Sequence, residues 1–384
     1  KFQITTFNTE KREDMFLKKI YLDQFRNYEH LEVTFQPSIN IIYGDNAQGK
    51  TNLLEAIYVL SMTKSHRSSI DNALIKNGET TSYMKGTVVT SHSSKTLEVG
   101  LTKTKKLLKI NQGEVKKVSN YISNMNIVIF YPEDLDLIKG GPGLRRRFMN
   151  LELSQLYPSY LDILNDYNKL LKMRNDCLKQ YLKGEFVDES YFQILNQYFV
   201  DKASLIYQMR KKFVEKLNHY LPKIFEDISG RKNFSLIYRT NIDMDSSESY
   251  QEQMKKKLMK HSEAEKRIGS TLVGPHKDDL EFILDERNLK LYGSQGQQRM
   301  AILSLKLSEI DLFRDYKKET PILLLDDVFS ELDYKKRSNL MKHIDNNTQT
   351  IITTTELGLL DQTLIQNANL IHIQDGSIIS ENEV

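Results

Sequence analysis

The fold of this 384-residue chain is decided by the stretch Gly44-Asp45-Asn46-Ala47-Gln48-Gly49-Lys50-Thr51. It fits the pattern G-x-x-x-x-G-K-[S/T] at every fixed position. The apolar run Ile39–Tyr43 before it predicts a buried strand, and the pattern of residues 50–61 predicts a helix after it. In such a unit the glycines let backbone N–H groups wrap a phosphate at the positive end of the helix. The sequence therefore predicts a phosphate-binding loop.

The side chains of this loop have predicted roles in binding a nucleoside triphosphate. Lys50 is expected to reach the β- and γ-phosphates, and the Thr51 hydroxyl is expected to bind Mg²⁺. The residues expected to contact the nucleotide are Gly44, Asp45, Asn46, Ala47, Gln48, Gly49, Lys50, Thr51 and Asn52. The motif alone does not separate a kinase from a GTPase or an ATPase.

A second motif lies near the C-terminus, where an apolar run from residue 322 ends in Asp326 and Asp327. The carboxyl end of a buried strand places Asp326 where it can hold a metal ion through water, and Asp327 can act as general base on the attacking water. Lys50, Asp326 and Asp327 are therefore the predicted catalytic residues, and Thr51 and Asp326 the predicted metal site. A strand that meets an ordinary helix cap is the simpler alternative.

Two shorter motifs flank that strand. Ser294-Gln295-Gly296-Gln297-Gln298 begins a predicted helix, and Ser330-Glu331-Leu332-Asp333 follows Asp327. In this order they resemble the signature sequence and the D-loop of ABC-type ATPases, whose signature contacts the γ-phosphate held by a second subunit. The resemblance implies a homodimer around two ATP molecules, with nucleotide contacts from Ser294, Gly296, Gln297 and Asp333. Each short motif taken alone also fits a helix cap.

Composition excludes several classes of protein. The chain has 54 Lys+Arg against 51 Asp+Glu, a net charge of +3, so any surface for nucleic acid would have to be local. The apolar runs are far shorter than the roughly 20 residues of a membrane-spanning helix, so no membrane partner is expected. The single cysteine, Cys177, excludes an intramolecular disulfide and suits a reducing cytoplasm.

The pattern along the chain predicts an α/β fold interrupted by helices. Residues 1–14 are expected to be an extension outside the fold, with no features of a signal peptide. Residues 15–135 and 263–384 are the predicted parts of one ATPase head with mixed sheets and flanking helices. Residues 136–262 are the predicted helical arm, with two amphipathic helices of about 50 Å separated by a polar turn near residues 184–190. Residues 289–292 are expected to form a hairpin strand.

Further motifs resemble the RecF family of recombination proteins, from about Met15 to the C-terminus. They are Lys64-Ser65-His66-Arg67, Pro132-Glu133-Asp134, Leu137-Ile138-Lys139-Gly140-Gly141-Pro142, Arg145-Arg146-Arg147-Phe148-Met149-Asn150, Gly274-Pro275-His276-Lys277-Asp278-Asp279 and the stretch from Leu325 to Asp333. The resemblance implies an ABC-type head like those of SMC proteins, with a short arm in place of their long coiled coil.

The same resemblance implies a function in DNA repair. The expected partners are gapped duplex DNA and single/double-strand junctions, bound without regard to sequence, and a second copy of the chain, bound when ATP is present. With RecO and RecR the protein is expected to load RecA onto single strands held by SSB protein in the cytoplasm. Hydrolysis is expected to be weak, stimulated by DNA and used for release. Asp327 supports slow turnover because transporter heads usually carry the longer Glu there.

Several basic and polar residues have two open interpretations. Arg145, Arg146 and Arg147 lie in the first turn of a helix, where the macrodipole disfavours cations by roughly 0.3–1 kcal/mol each. They either bind an anion, which is DNA phosphate or an acidic patch of a partner, or pair with nearby acids, Glu133, Asp134 and Asp136. Arg67 either clamps the nucleotide phosphates or contacts DNA, or it forms a surface salt bridge.

The Gly274 to Asp279 motif and the strand end near residue 353 add three expectations. His276 is expected to be a hydrogen-bonded turn residue rather than a catalytic one. Asp278 and Asp279 are expected to cap or pair. Thr353-Thr354-Thr355 stands where transporter heads carry a switch histidine, so a threonine hydroxyl is expected to substitute for it.

Three rival functions remain open from the sequence. An ATPase subunit of a membrane transporter would normally carry the Glu and His that this chain lacks. A static binder would hold ATP in the same loop without turnover. A nuclease-associated repair ATPase would need much longer coiled coils than the predicted arm.

Overall fold

The computed structural model describes residues 15–68, 70–90, 93–244, 248–344 and 348–379. The predicted N-terminal extension lies outside these residues and stays a prediction. The described residues divide into two compact units, one formed by the residues up to 133 together with those from 309 onward, and the other by residues 134–308. The second unit runs beyond residue 262 because the strand at Phe234–Arg239 pairs with the strand at Asp279–Leu284. The head and arm boundaries drawn from sequence stay a prediction.

The first unit contains an antiparallel sheet of six strands in the order β2-β1-β4-β5-β6-β7. Its strands are β1 (Phe16–Phe25), β2 (Tyr28–Thr34), β4 (Thr81–Val89), β5 (Ser94–Thr102), β6 (Lys106–Ile110) and β7 (Gly113–Glu114). Buried and exposed residues alternate along β4, as expected for a sheet with one face in the core.

The second sheet of this unit has six strands in the order β15-β14-β3-β13-β12-β8. They are β3 (Ile39–Tyr43), β8 (Ile127–Phe130), β12 (Ile322–Asp326), β13 (Thr350–Thr354), β14 (Asn369–Gln374) and β15 (Ser377–Ile379). All neighbours are parallel except β14 and β15. The predicted strands before the phosphate loop and before Asp327 are confirmed as β3 and β12. Parallel pairing brings their carboxyl ends to one edge of the sheet.

Helix α1 (Lys50–Met62) packs against strands of both sheets. It is therefore buried on nearly every side from Leu53 to Met62, which explains why its sequence lacks a clear polar face. Gly86 on β4 allows the close approach, since a Cβ there would lie 2.2 Å from a Leu60 methyl carbon. The other helices that lie wholly in this unit are α2 (Val118–Tyr121), α10 (Tyr334–His343) and α11 (Gln362–Gln366), with short 3₁₀ turns between elements.

The second unit is built around long helices, which are α4 (Pro142–Leu156), α5 (Pro158–Leu182), α6 (Glu189–Ser229) and α7 (Tyr250–Ile268). Two helices of four residues, α3 (Asp136–Lys139) and α8 (Leu289–Tyr292), also belong to it. A three-stranded antiparallel sheet, β11-β10-β9, completes the unit with β9 (Phe234–Arg239), β10 (Asp279–Leu284) and β11 (Arg287–Asn288). Helix α9 (Gln295–Lys317) begins in this unit and ends in the first. Because β9 lies in the predicted arm, that region is not entirely helical.

Two expectations about the helices were wrong. The first amphipathic pattern is split at Tyr157, because Pro158 starts a new helix there. Helix α5 is thus 25 residues long, about 38 Å, whereas α6 has 41 residues, about 60 Å. Residues 289–292 form α8 rather than a strand, because the Asn288 side chain accepts a hydrogen bond from the Lys290 N–H (2.9 Å) and caps a helical turn.

Within the described ranges, none of the helices combines the length and the hydropathy that crossing a membrane requires.

Candidate nucleotide-binding site

The phosphate loop has a backbone that only glycine tolerates at two positions. Gly44 has φ 146° and Gly49 has φ 117°. A Cβ on Gly44 would lie 2.2 Å from the carbonyl oxygen of Ile373, and one on Gly49 would lie 2.8 Å from the Tyr28 hydroxyl. Between them, residues 45–47 are exposed. The loop therefore has the open, left-handed conformation that wraps a phosphate.

Lys50 is folded back into this loop. Its ammonium donates hydrogen bonds to the carbonyl oxygens of Gly44 (2.7 Å) and Asp45 (2.6 Å). Burial lowers the pKa of Lys50, and the carboxylates of Asp327, Asp326 and Asp45 oppose that shift. The ammonium group of Lys50 is thus held inside the loop by two carbonyl oxygens, and phosphate oxygens can replace them as its hydrogen-bond acceptors.

The loop meets the acidic strand end through a pair of threonines. The Oδ1 atom of Asp326 accepts hydrogen bonds from Thr51 (3.0 Å) and from Thr353 at the end of β13 (2.7 Å). The same Thr353 hydroxyl accepts the Asp327 N–H at 3.0 Å. Burial raises the pKa of Asp326, and the two threonine hydrogen bonds lower it in part. Residues 275 positions apart in sequence therefore form one polar cluster.

Thr353 is the threonine that reaches the acids, at the position where a switch histidine was missing. The next hydroxyl, that of Thr354, instead donates to the carbonyl of Glu356 (3.0 Å). Alternation along a strand sends neighbouring side chains to opposite faces, so only one of the two can face Asp326.

Asp327 carries the clearest sign of a missing ligand. It has a left-handed backbone, φ 50°, and its Oδ1 atom is buried with no hydrogen-bond partner among the described residues. Leaving a buried acceptor unsatisfied costs about 1–3 kcal/mol. Such an atom beside a phosphate loop fits a position that receives a water molecule when nucleotide is bound.

Two turns hold the phosphate loop from the side. The main-chain N–H of Asp375 donates to Gln48 Oε1 (2.5 Å), and that of Gly376 donates to the Gln48 carbonyl (3.2 Å). From the β1–β2 turn, the Tyr28 hydroxyl donates to the Gly49 carbonyl (2.8 Å). Sequence reasoning missed these residues because an isolated tyrosine or a turn near the C-terminus carries no local signal of such a contact.

Glu55 of α1 joins two arginines near the loop. Its side chain is fully buried and accepts two hydrogen bonds from Arg26 (2.9 and 2.7 Å) and one from Ser65 (2.5 Å). Burial alone would raise the pKa of Glu55, but the hydrogen bonds from Arg26 and Ser65 outweigh it and lower the pKa. Arg67 lies 3.6 Å from the same carboxylate and donates to Asn52 at 3.1 Å. The salt-bridge interpretation of Arg67 is therefore observed, and its contact with nucleotide stays a prediction.

The signature segment in the second unit forms a capping box at the start of α9. The Ser294 N–H donates to Gln297 Oε1 (2.8 Å), and the Gln297 N–H donates to Ser294 Oγ (3.3 Å). Ser294 and Gly296 are exposed, so the helix end is open to a ligand. In the first unit, Asp333 caps α10 by accepting the Lys336 N–H at 3.0 Å. The helix-cap interpretation holds for both motifs, and their nucleotide contacts stay predictions.

The arginine cluster of α4 gives a correction. Arg145 is buried, donates two hydrogen bonds to the Asp279 carboxylate (2.6 and 3.0 Å), and donates further to the carbonyls of Leu137 and Gly140. Arg146 donates to the Asp278 carbonyl at 2.8 Å. Arg145 is thus not a DNA-binding residue, and its partner is not one of the three acids expected. Arg147 is exposed.

The neighbouring motif confirms the simpler expectations. His276 contacts the Tyr167 hydroxyl (2.6 Å) and the Thr271 carbonyl (3.1 Å) through its two ring nitrogens. Asp278 accepts hydrogen bonds from Tyr238 and from the Asn241 N–H. These residues belong to the packed interior of the second unit, so they build structure rather than a catalytic centre.

No group of three or more His, Cys, Asp or Glu side chains arranged to hold a metal ion occurs in the described ranges. Mg²⁺ binds proteins through one or two side chains and takes its other ligands from water and phosphate. Thr51 and Asp326 fit that donor set. Together with the orphaned Asp327 oxygen, they make the site suitable for a nucleoside triphosphate with Mg²⁺.

The two-sheet fold around a buried phosphate-loop helix defines an ATP-binding head of the SMC type. Residues 16–378 match the family described as RecF/RecN/SMC N terminal domain. Within it, the chain belongs to the RecF family. It is 40% identical to the DNA replication and repair protein RecF of Bacillus mycoides (strain KBAB4), over 96% of this chain and 99% of that protein.

Solved structures agree with this assignment. A structure of the recombination mediator protein RecF with ATP, in the RecFOR pathway, is similar with a TM-score of 0.89 and 32% identity, covering 97% of this chain and 99% of that one. The Smc head of Pyrococcus furiosus bound to the C-terminal domain of ScpA has a TM-score of 0.54 at 15% identity, covering 95% of both chains. The second likeness concerns the fold alone.

Proposed function

We propose that the protein is an ATP-dependent DNA-binding protein of recombinational repair. The observation that carries the proposal is the single polar cluster of Thr51, Asp326 and Thr353 beside the orphaned Asp327 oxygen. The RecF relatives, one of them solved with ATP, support the same nucleotide and the same process.

Different residues of the site are proposed to bind the nucleotide and to promote its slow hydrolysis. Lys50 exchanges its two carbonyl partners for phosphate oxygens, and Thr51 with Asp326 holds Mg²⁺, whose charge neutralises the phosphates. Asp327 orients the attacking water through its unpaired oxygen. Its side chain is one methylene shorter than the Glu that transporter heads usually carry, which supports weak turnover. Stimulation of this turnover by DNA is part of the proposal.

ATP binding is proposed to join two copies of the chain. The exposed helix end at Ser294 and Gly296, with Gln297 and Asp333, is proposed to close the nucleotide held by the other copy. Each copy alone then has an incomplete site, so dimerisation depends on ATP, and hydrolysis releases the dimer.

The proposed DNA substrate is a gapped duplex or a single/double-strand junction, bound without regard to sequence. RecO and RecR are the proposed partners, because the relatives solved with nucleotide belong to the RecFOR pathway. Loading of RecA onto single strands is the proposed outcome. The proposed location is the cytoplasm, on the nucleoid, where this substrate is found.

The test is a gel shift on gapped duplex DNA with and without ATP, using the wild-type chain, Lys50→Ala and Lys50→Arg. We expect ATP to strengthen binding by tenfold or more for the wild type. Lys50→Ala removes the phosphate contact and should abolish that increase, while Lys50→Arg separates binding from turnover. An affinity for DNA that is the same with and without ATP would contradict the proposal. ATP-dependent binding with no hydrolysis at all would favour the static binder.

A further inference from the structure

Strand pairing in the antiparallel sheet brings five lysines to one corner. The β5–β6 turn carries Lys103 and Lys105, closed by a hydrogen bond from the Thr102 N–H to the Lys105 carbonyl (2.8 Å). After β7 the chain runs back along β6, since the Val115 N–H donates to the Leu108 carbonyl (2.8 Å). That direction leads toward the β5–β6 turn. The lysine corner comprises Lys103, Lys105, Lys106, Lys116 and Lys117.

Four members of the lysine corner are exposed, namely Lys103, Lys105, Lys116 and Lys117. Among the described residues, these four have no ion pair or hydrogen bond through their ammonium groups. Lys106 differs, because it pairs with Asp71 (2.9 Å) and donates to the carbonyl of Thr63. Further along the same strands, Lys109 is opposite Glu98 and Glu114 in the ladder. The positive charge is therefore concentrated at the corner, where Lys106 is the member paired with a carboxylate among the described residues.

We propose that the lysine corner binds the phosphate backbone of duplex DNA. The proposal rests on the function proposed above. It identifies a local basic surface for nucleic acid, which the net charge of +3 does not reveal. It also replaces Arg145, whose donors are used inside its own unit. Lysines act as flexible point charges, so they suit phosphates whose position varies along the duplex rather than base edges.

The chemistry of the corner favours DNA over an acidic protein. Protein interfaces are depleted in lysine and are anchored by aromatic residues, methionine and arginine. The exposed apolar side chains at the corner are Leu107 and Val118, without an aromatic residue between Lys103 and Lys117. A surface of this composition can attract phosphates, but it offers a protein partner little apolar area to bury.

The corner is separate from the nucleotide loop although both belong to the first unit. Lys106 binds the carbonyl of Thr63, which caps the C-terminal end of α1, while the phosphate loop is at the N-terminal end. The 13 residues of α1 span about 20 Å. DNA at the corner and ATP in the loop therefore use different side chains, and removing the lysines should leave nucleotide binding intact.

The experiment uses the full chain and the variant K103Q/K105Q/K116Q/K117Q, which leaves the buried contacts of Lys106 in place. Fluorescence anisotropy with a labelled 40-base-pair duplex is recorded with ATP at several NaCl concentrations. The control K211Q/K212Q/K255Q/K260Q removes the same charge from the second unit. We expect the corner variant to bind at least tenfold more weakly at about 0.1 M salt. The dependence of log K on log salt should also fall by up to about 3.6, since each phosphate contact contributes about 0.9.

Each outcome decides a different question. If the wild type binds gapped duplex DNA but not the intact duplex, the lysine corner is not a duplex-binding surface while the proposed function stands, and if it binds neither DNA, the proposed function fails. If the wild type binds and the corner variant binds equally well, the corner is not the DNA surface while the function stands, and an acidic protein partner becomes the alternative. If the control weakens binding as much as the corner variant does, total charge rather than the corner is responsible, which also overturns the proposal. ATP binding, measured with a fluorescent analogue, should be unchanged in both variants.

Discussion

At the scale of single residues, Thr353 connects the two acids that the chemistry needs. Its hydroxyl donates to Asp326 and accepts from the Asp327 main chain, so it fixes both the carboxylate proposed to bind the metal and the backbone turn beside the proposed general base. Substitution of this hydroxyl for the switch histidine at the γ-phosphate stays a prediction. We infer that the hydroxyl orders the two acids.

Thr353→Val tests this role with almost no change in volume. We expect ATP affinity within a few-fold of the wild type and a hydrolysis rate at least tenfold lower, because both acids lose a positioning contact. Thr354→Val is the matched control, since that hydroxyl is also buried but bonds to the main chain of Glu356, donating to its carbonyl and accepting its N–H, rather than to either acid. Each variant should lose about 1 kcal/mol of stability. Equal hydrolysis rates in the two variants, measured by phosphate release, would contradict the role of Thr353.

His276 makes the stability of the second unit depend on pH. Burial lowers the pKa of His276 to about 4, against the usual 6.5. Between these values the unfolded chain binds a proton that the folded chain does not, so stability falls as the pH drops from about 6.5 toward 4. Urea unfolding at pH 7 and pH 5 should show a smaller loss for His276→Asn than for the wild type, by on the order of 1–2 kcal/mol. An identical loss in both proteins would rule out His276 as the source.

At the scale of elements, α4 is tied to the sheet of the second unit through one ion pair. Arg145 donates two parallel hydrogen bonds to Asp279 at the start of β10. It also binds the carbonyls that end α3, where the helix would otherwise leave them unpaired. The cationic first turn of α4, unfavourable to the dipole of its own helix, is thus explained by the acid and carbonyl groups of its neighbours.

Arg145→Ala should therefore reduce stability rather than DNA affinity. The loss leaves Asp279 without its partner, and we expect the free energy of unfolding to fall by about 1–3 kcal/mol. Arg147→Ala is the control, because Arg147 lies in the same turn but is exposed. Chemical denaturation measures the stability of each variant, and fluorescence anisotropy with labelled duplex DNA measures its DNA affinity on the same samples. A large loss of DNA affinity in folded Arg145→Ala would restore the original hypothesis.

At the scale of the whole molecule, the sequence predicts what depends on local patterns. The phosphate loop, strands β3 and β12, and the amphipathic helices follow from residue spacing and are found in the structure. Family resemblance added the class of head. The break before Pro158 and the helix at residues 289–292 were missed, because a continuous apolar period hid the first and a short apolar run is ambiguous between strand and helix.

Contacts between distant residues were beyond the sequence. The Arg145–Asp279 pair joins residues 134 positions apart, and the brace from Asp375 to Gln48 joins residues 327 positions apart. Neither pair has a pattern that singles it out from the many other charged and polar residues. The lysine corner is similar, because only the pairing of β6 and β7 shows that residues 103–106 and 116–117 share one end of the sheet.

The most direct test of the whole account is the mass of the protein in solution with a nonhydrolysable ATP analogue and Mg²⁺, measured by light scattering. We expect a monomer of 44.8 kDa without nucleotide and a dimer when the analogue is bound. Ser294→Arg, which fills the exposed start of α9 and changes no residue of the phosphate loop, should bind the analogue yet remain monomeric. A wild-type chain that binds the analogue and stays a monomer at micromolar concentrations would contradict the account.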